Sequence, residues 1–218
     1  FPAKNVSTLL GSSLKDDPNG ERRHTDQVED VVVSADGTVA LSIGNDKKVI
    51  YWDLTKVEEK PPLSEGKGCF IRSFDTNNRG HSIALTKDKK RFYAGVGEGI
   101  LQEWKCDNNN KFIREYKDDN VKKGRAHKGW VMAIKLTKDD KKMVTGSHSN
   151  EVKVWETAKD TEEEPKLLFN LGKASKDSEG NTINNSHTAP VKDIEITPDD
   201  SKVARGSEEK TIKIWDIE

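Results

Sequence analysis

The chain has 218 residues, with 37 basic and 38 acidic side chains, a net charge of -1 and only 32% hydrophobic residues. That length suits one sizeable domain or two small ones, and so even a balance of charge excludes a global field that would draw the chain to nucleic acid or a membrane surface. No apolar run approaches the 18 residues of a membrane-spanning helix, and no signal peptide is visible.

Cys69 and Cys106 stand at neither metal-ligand nor redox spacing, so the simplest compartment is a reduced, cytoplasmic one. The chain opens on Phe1-Pro2 without a methionine, which reads as a fragment or a processed chain. Its first segment, Lys4 to Gly11, resembles Pro165 to Gly172 further on and is expected to be the outer strand (residues 1–11) of a preceding or closing sheet.

The first full unit covers residues 24–74. His24 is followed by the apolar stretch Val28 to Val33, the turn Ser34-Ala35-Asp36-Gly37, and a strand ending at Trp52-Asp53. A loop containing Glu58-Glu59-Lys60-Pro61-Pro62 leads to a fourth strand, Cys69 to Phe74. The second unit, residues 76–116, aligns through Thr86-Lys87-Asp88-Lys89 and Trp104-Lys105 and closes with Lys111 to Tyr116. Thr76 stands where the histidine would be, and His81 is out of register with it.

The third unit, residues 127–171, runs from His127 through Val131 to Leu136, the turn Thr137-Lys138-Asp139-Asp140 and Lys142 to Thr145. It continues to Val152-Lys153-Val154-Trp155 and then Lys166 to Leu171. The fourth, residues 187–218, holds His187, Val191 to Ile196, Thr197-Pro198-Asp199-Asp200 and Ile212-Lys213-Ile214-Trp215-Asp216. It stops before an outer strand.

Trp52, Trp104, Trp155 and Trp215 are spaced by 52, 51 and 60 residues, and three histidines each precede their tryptophan by 28. A fixed period is the mark of one repeated structural unit. Polar turns between β-favouring runs read as hairpins, and the alternation at Val152 to Trp155 as a strand. Each unit is therefore expected to be a four-stranded antiparallel sheet. Such a sheet buries both faces only against neighbours, so the fold class is all-β, a β-propeller of four-stranded blades.

Catalytic chemistry finds little support. No Gly-x-Ser-x-Gly elbow and no supported Cys-His pair is present. Gly95-Val96-Gly97-Glu98-Gly99 lies between two strands and opens no helix, which disfavours a phosphate loop. Asp36, Asp88, Asp139 and Asp199 recur at one turn position, where turn chemistry explains them. Three histidines sit at one equivalent position and should not converge on a metal, and neither His81 nor His148 has a partner at ligand spacing. The lysine-rich turns mix both signs and suit a solvated face better than nucleic acid.

These markers resemble the WD40 repeat, and the resemblance covers nearly the whole chain. It implies about four blades here, forming a ring of their own, a ring completed by another chain, or part of a seven-bladed one. It also implies a buried hydrogen-bond chain in each blade: His24, Ser42, Asp46 and Trp52 in the first, and His127, Thr145 and Trp155 in the third, with Ser149 in place of the aspartate. His187 and Trp215 remain in the fourth, where Arg205 and Glu209 replace the other two groups. Only Trp104 remains in the second, with Ala94 and Glu98 at the other positions. Partner binding at one face is implied for Gln27, Glu29 and Asn45; for Trp130, Met132 and His148; and for Pro190, Lys192 and Glu208.

The function expected is a non-catalytic scaffold in an intracellular multiprotein assembly. It would bind protein partners through that face and the long loops, with no cofactor, metal, membrane or small-molecule substrate. The alternatives are an enzyme or metal protein hosted on the same fold, and nucleic-acid binding through the lysine-rich turns.

Overall fold

The computed structural model describes residues 21–56, 69–107, 111–158, 163–171, 175–176, 182–183, 189–207, 210 and 212–217. The expected opening strand at residues 1–11 and the site residues His187, Glu208 and Glu209 lie outside them. The chain divides into two compact units, Phe1–Gly80 and His81–Glu218.

The first unit holds one antiparallel sheet of four strands in sequence order: β1 (Val28–Val33), β2 (Val39–Gly44), β3 (Lys48–Asp53) and β4 (Phe70–Asp75). The tight β1–β2 and β2–β3 connections suit a meander, since consecutive antiparallel strands need only a short turn. Ala40, Ile50, Trp52 and Cys69 form its buried cluster, with Leu54 and Phe70 packed against it. Trp52 meets Phe70 edge to face, ring centroids 6.4 Å apart.

The second unit holds two more four-stranded sheets. One runs β5 (Gly80–Leu85), β6 (Arg91–Val96), β7 (Ile100–Lys105) and β8 (Phe112–Glu115); the other runs β9 (Val131–Leu136), β10 (Lys142–Ser147), β11 (Val152–Glu156) and β12 (Lys166–Asn170). Two short strands, β13 (Ser175–Lys176) and β14 (Thr182–Ile183), pair with each other. The last sheet has three strands: β15 (Val191–Ile196), β16 (Lys202–Ser207) and β17 (Ile212–Asp216).

Two cores lie between neighbouring sheets of this unit. Tyr93, Leu101, Tyr116, Val131, Met143 and Trp155 belong to the first, and Val144, Val152, Val154, Val191, Ile194 and Val203 to the second. Burying each such side chain contributes roughly 1.5–3 kcal/mol, so sheet-on-sheet packing is the main stabilising term. Because β11 has neighbours on both faces, Val152, Lys153, Val154 and Trp155 are all buried. The same alternating pattern in β17 leaves Ile212 and Ile214 exposed.

The packing also explains glycines. A Cβ on Gly146 would lie 2.5 Å from Val191 Cγ1, and one on Gly95 2.8 Å from Val131 Cγ1. Close sheet approach, not a bound phosphate, accounts for these positions.

A polar contact repeats in this unit. Asp140 accepts the backbone N–H of Lys87 at 2.8 Å, and Asp200 accepts that of Lys138 at 2.9 Å. Both aspartates have positive φ, 58° and 62°, a conformation that Asp tolerates better than most residues. Each clasps the turn of the sheet before it. Gly37 and Lys89 hold the equivalent turn positions elsewhere and bring no carboxylate.

Candidate functional site

Three features could carry function: the hydrogen-bond chains, a buried charge cluster in the third repeat, and the rim at the start of the first strand of each sheet.

In the first unit, Trp52 Nε1 donates to Ser42 Oγ at 2.8 Å, and His24 Nε2 lies 2.8 Å from the same hydroxyl. His24 Nδ1 lies 2.9 Å from Asp46 Oδ2. One tautomer satisfies every group: the indole donates to Ser42, Ser42 donates to Nε2, and Nδ1–H donates to Asp46. Burial opposes charge on Asp46, but the His24 bond and the Thr25 N–H hold its carboxyl below the usual range.

In the third repeat, Thr145 Oγ1 accepts from Trp155 Nε1 at 2.9 Å and lies 2.7 Å from His127 Nε2. Ser149 does not reach the histidine; its hydroxyl bonds Ser147 and Glu151. Glu151 Oε2 stands 3.6 Å from His127 Nδ1, in ion-pair range but beyond a hydrogen bond. In the second repeat, Trp104 Nε1 donates to Gln102 at 3.2 Å. In the fourth, Arg205 is buried with its guanidinium carbon 5.9 Å from the Trp215 ring centre. That is a cation–π contact in place of a hydroxyl bond.

The charge cluster was not legible from the repeat pattern. Lys153 is fully buried on β11, and its Nζ donates to Asp118 Oδ2 at 2.7 Å and to the Ala126 carbonyl at 2.6 Å. Glu151 Oε2 lies 3.7 Å away. Burial raises both acids, yet Lys153 and Asn120 hold Asp118 down at about 2, and His127 and Lys153 hold Glu151 at about 2. Burial pushes the His127 imidazole below the ordinary 6.5, with Glu151 opposing.

All three shifts act in one direction with pH. A depressed folded pKa means the unfolded chain binds the proton first, so stability falls with pH. The His127 contribution is complete above 6.5 and is lost progressively as pH falls below it toward the lowered folded value. The carboxylate contributions are complete above 4.5 and are lost as pH falls toward 2. Urea midpoints measured from pH 8 downward should therefore drop in two stages, and His127→Gln should lack the first.

The rim residues owe their aim to bulges. Register shifts fall between Val28 and Asp30, at Met132 opposite Gly146 and Ser147, and between Val191 and Asp193. The extra residues are Glu29, Met132 and Lys192, and a bulge re-aims the side chain it carries. In the first unit Asn45 Nδ2 donates to Glu29 at 2.6 Å and to Gln27 at 3.3 Å, so that set is tied together at the surface. In the last sheet Lys192 is exposed and Pro190 half-buried.

The third set is different. Trp130 is 48% exposed, its ring stacked on His81 at 4.9 Å and 12°, with His148 at 5.7 Å. The His148 backbone N–H donates to the Trp130 carbonyl at 2.9 Å. Half-buried Met132 lies two residues beyond Trp130. In sequence His81 is out of register with the repeat histidines, yet it is the second residue of β5, as Glu29, Met132 and Lys192 are of their strands. Counting from strand starts instead of from the histidine would have found it.

Among the described residues, no group of three or more His, Cys, Asp or Glu side chains is placed to hold a metal. Nor is any helix among them long and apolar enough to cross a membrane.

A family model described as WD40, "WD domain, G-beta repeat", matches residues 18–53, 119–156 and 180–216, together just over half of the chain. Each match ends on the residue after a repeat tryptophan, and the repeat of Trp104 lies outside all three. No curated protein matches the chain.

Proposed function

The chain belongs to the WD40 family, whose repeats are generally protein-interaction scaffolds, and from that premise we propose that it is a non-catalytic subunit of an intracellular multiprotein assembly. We take residues 24–74, 76–116, 127–171 and 187–218 as four blades. Residues 1–11 are taken as the outer strand of a preceding or closing blade. Protein partners are captured at the rim of the first strands, with the inter-blade loops flanking it.

The observation that carries this reading is Trp130. A large indole held half in solvent by two imidazoles is unusual, because aromatic side chains contribute most when buried. Tryptophan is also enriched among the few residues that dominate binding at interfaces. Such an anchor needs no ordering when a partner arrives, which favours affinity.

Trp130→Ala combined with His148→Ala should abolish partner capture from native extract while leaving the far-ultraviolet circular dichroism and urea midpoint unchanged. Unaltered capture would remove the rim from consideration. Stoichiometric zinc or calcium in the purified protein would instead favour a metal-dependent activity.

A further inference from the structure

We propose that the groove beside Trp130 takes an acidic peptide segment, and that the buried Lys153–Asp118 pair holds this groove preformed. The proposal rests on reading the Trp130 rim as the partner-binding face.

The groove, about 670 Å³, is lined by Lys122, Lys123, Arg125, Lys128 and Trp130, with Glu98 as the lining carboxylate. Glu98 is already engaged, its Oε2 3.2 Å from Arg125 Nη2. Lys128 shares Glu151 at 3.9 Å and remains 67% exposed. Among the described residues, no carboxylate lies within ion-pair distance of Lys122 or Lys123. A chain of net charge -1 thus concentrates uncompensated positive charge in one groove next to its exposed tryptophan. Carboxylates in a partner segment complement that field, and the indole offers an apolar anchor beside it.

The segment carrying the lysines is built to stay in place. Lys122–Gly124 is a single 3-10 turn. Lys123 has φ 65°, and it stands apart from the other non-glycine residues of positive φ, which all lie in the repeated turns between strands. Asp118 closes the loop: Oδ1 accepts the backbone and side-chain N–H of Asn120 at 2.9 Å, and its own N–H donates to Arg125 at 3.0 Å. Oδ2 is then fixed to Lys153 in the core. A buried ion pair adds little net stability compared with apolar packing, so its role here is positional. It presents a cationic loop whose ordering cost is met before binding.

A nucleic acid is the less suited occupant. Its bases need an open ring face on which to stack, and His81 covers one face of Trp130 while His148 tilts against the ring.

The test uses fluorescence anisotropy with a fluorescein-labelled octapeptide of glutamates around one central phenylalanine. Its all-glutamine counterpart and an oligouridine of equal charge serve as comparisons. The acidic peptide should bind, and Lys122→Glu with Lys123→Glu should weaken it at least tenfold without altering the circular dichroism. Lys153→Met with Asp118→Leu, which keeps the core filled, should weaken it severalfold by releasing the loop. The proposal is overturned if the charge reversal changes nothing, if the glutamine peptide binds as well, or if oligouridine binds more tightly at the same ionic strength. Loss of partner capture in the Trp130/His148 variant, with the charge reversal silent, would sink the groove and leave the rim reading standing. Intact capture in the Trp130/His148 variant would sink the rim itself.

Discussion

Asp118→Ala is expected to lower the free energy of unfolding by about 3–5 kcal/mol, the cost of removing one partner from a buried ion pair. The Lys153 ammonium is fully buried, and without Asp118 it keeps only the Ala126 carbonyl at 2.6 Å and the more distant Glu151 at 3.7 Å. Neither compensates a charge removed from water. The substitution also frees the loop that Asp118 closes through Asn120 and Arg125. Lys153→Met with Asp118→Leu should recover most of the loss, since well-packed apolar side chains of similar volume often match or exceed a buried pair. Urea unfolding of the two variants separates the effects. A cost below about 1 kcal/mol for Asp118→Ala would mean that water reaches Lys153, and the pair would then be an exposed one.

Thr145→Val should cost about 2–4 kcal/mol. Valine keeps the shape of threonine and removes only the hydroxyl that serves two buried groups, His127 Nε2 and Trp155 Nε1. Each orphaned polar group carries a desolvation penalty of about 1–3 kcal/mol. Thr145→Ser, which keeps the hydroxyl and loses a methyl, should cost about 1 kcal/mol. The difference between the two variants isolates the hydrogen bonds, and equal costs would assign the whole effect to packing. Ser42→Ala should act in the same way in the first repeat, where Ser42 joins His24 and Trp52.

The strands were legible because each depends on a local signal. The stretches at Val28–Val33, Val131–Leu136 and Val191–Ile196 are strands over those same residues, bounded by the Asp-containing turns that end them. In those turns a Ser or Thr hydroxyl bonds the aspartate two residues on, as Thr137 does Asp139 at 2.8 Å. The second repeat is marked in sequence by its turn, Trp104 and the stretch Lys111 to Tyr116, and its four strands form the same meander.

The candidate site was less legible. Trp130, Met132 and His148 stood out because they differ from their counterparts at equivalent positions. His81 did not, because it comes from the neighbouring sheet and meets Trp130 only when the two sheets pack. The repeat pattern places an acid at position 149, whereas the acid nearest His127 is Glu151, two residues further on. Its approach depends on a buried lysine that no period announces.

By itself the sequence determined the period, the meander of each sheet and the turn chemistry. All of these follow from residues within one repeat, whose spacing in the chain sets their distance in space. Only the tertiary structure decided which alternating positions are buried. Lys153 and Ile214 occupy the same kind of strand, yet the charged residue is fully buried and the apolar one 64% exposed. The reason is physical: β11 has neighbouring sheets on both faces, so even its polar positions leave water and must find partners there. Within its own unit no described sheet covers Ile214, and it stays in solvent however strongly its pattern marks it as core.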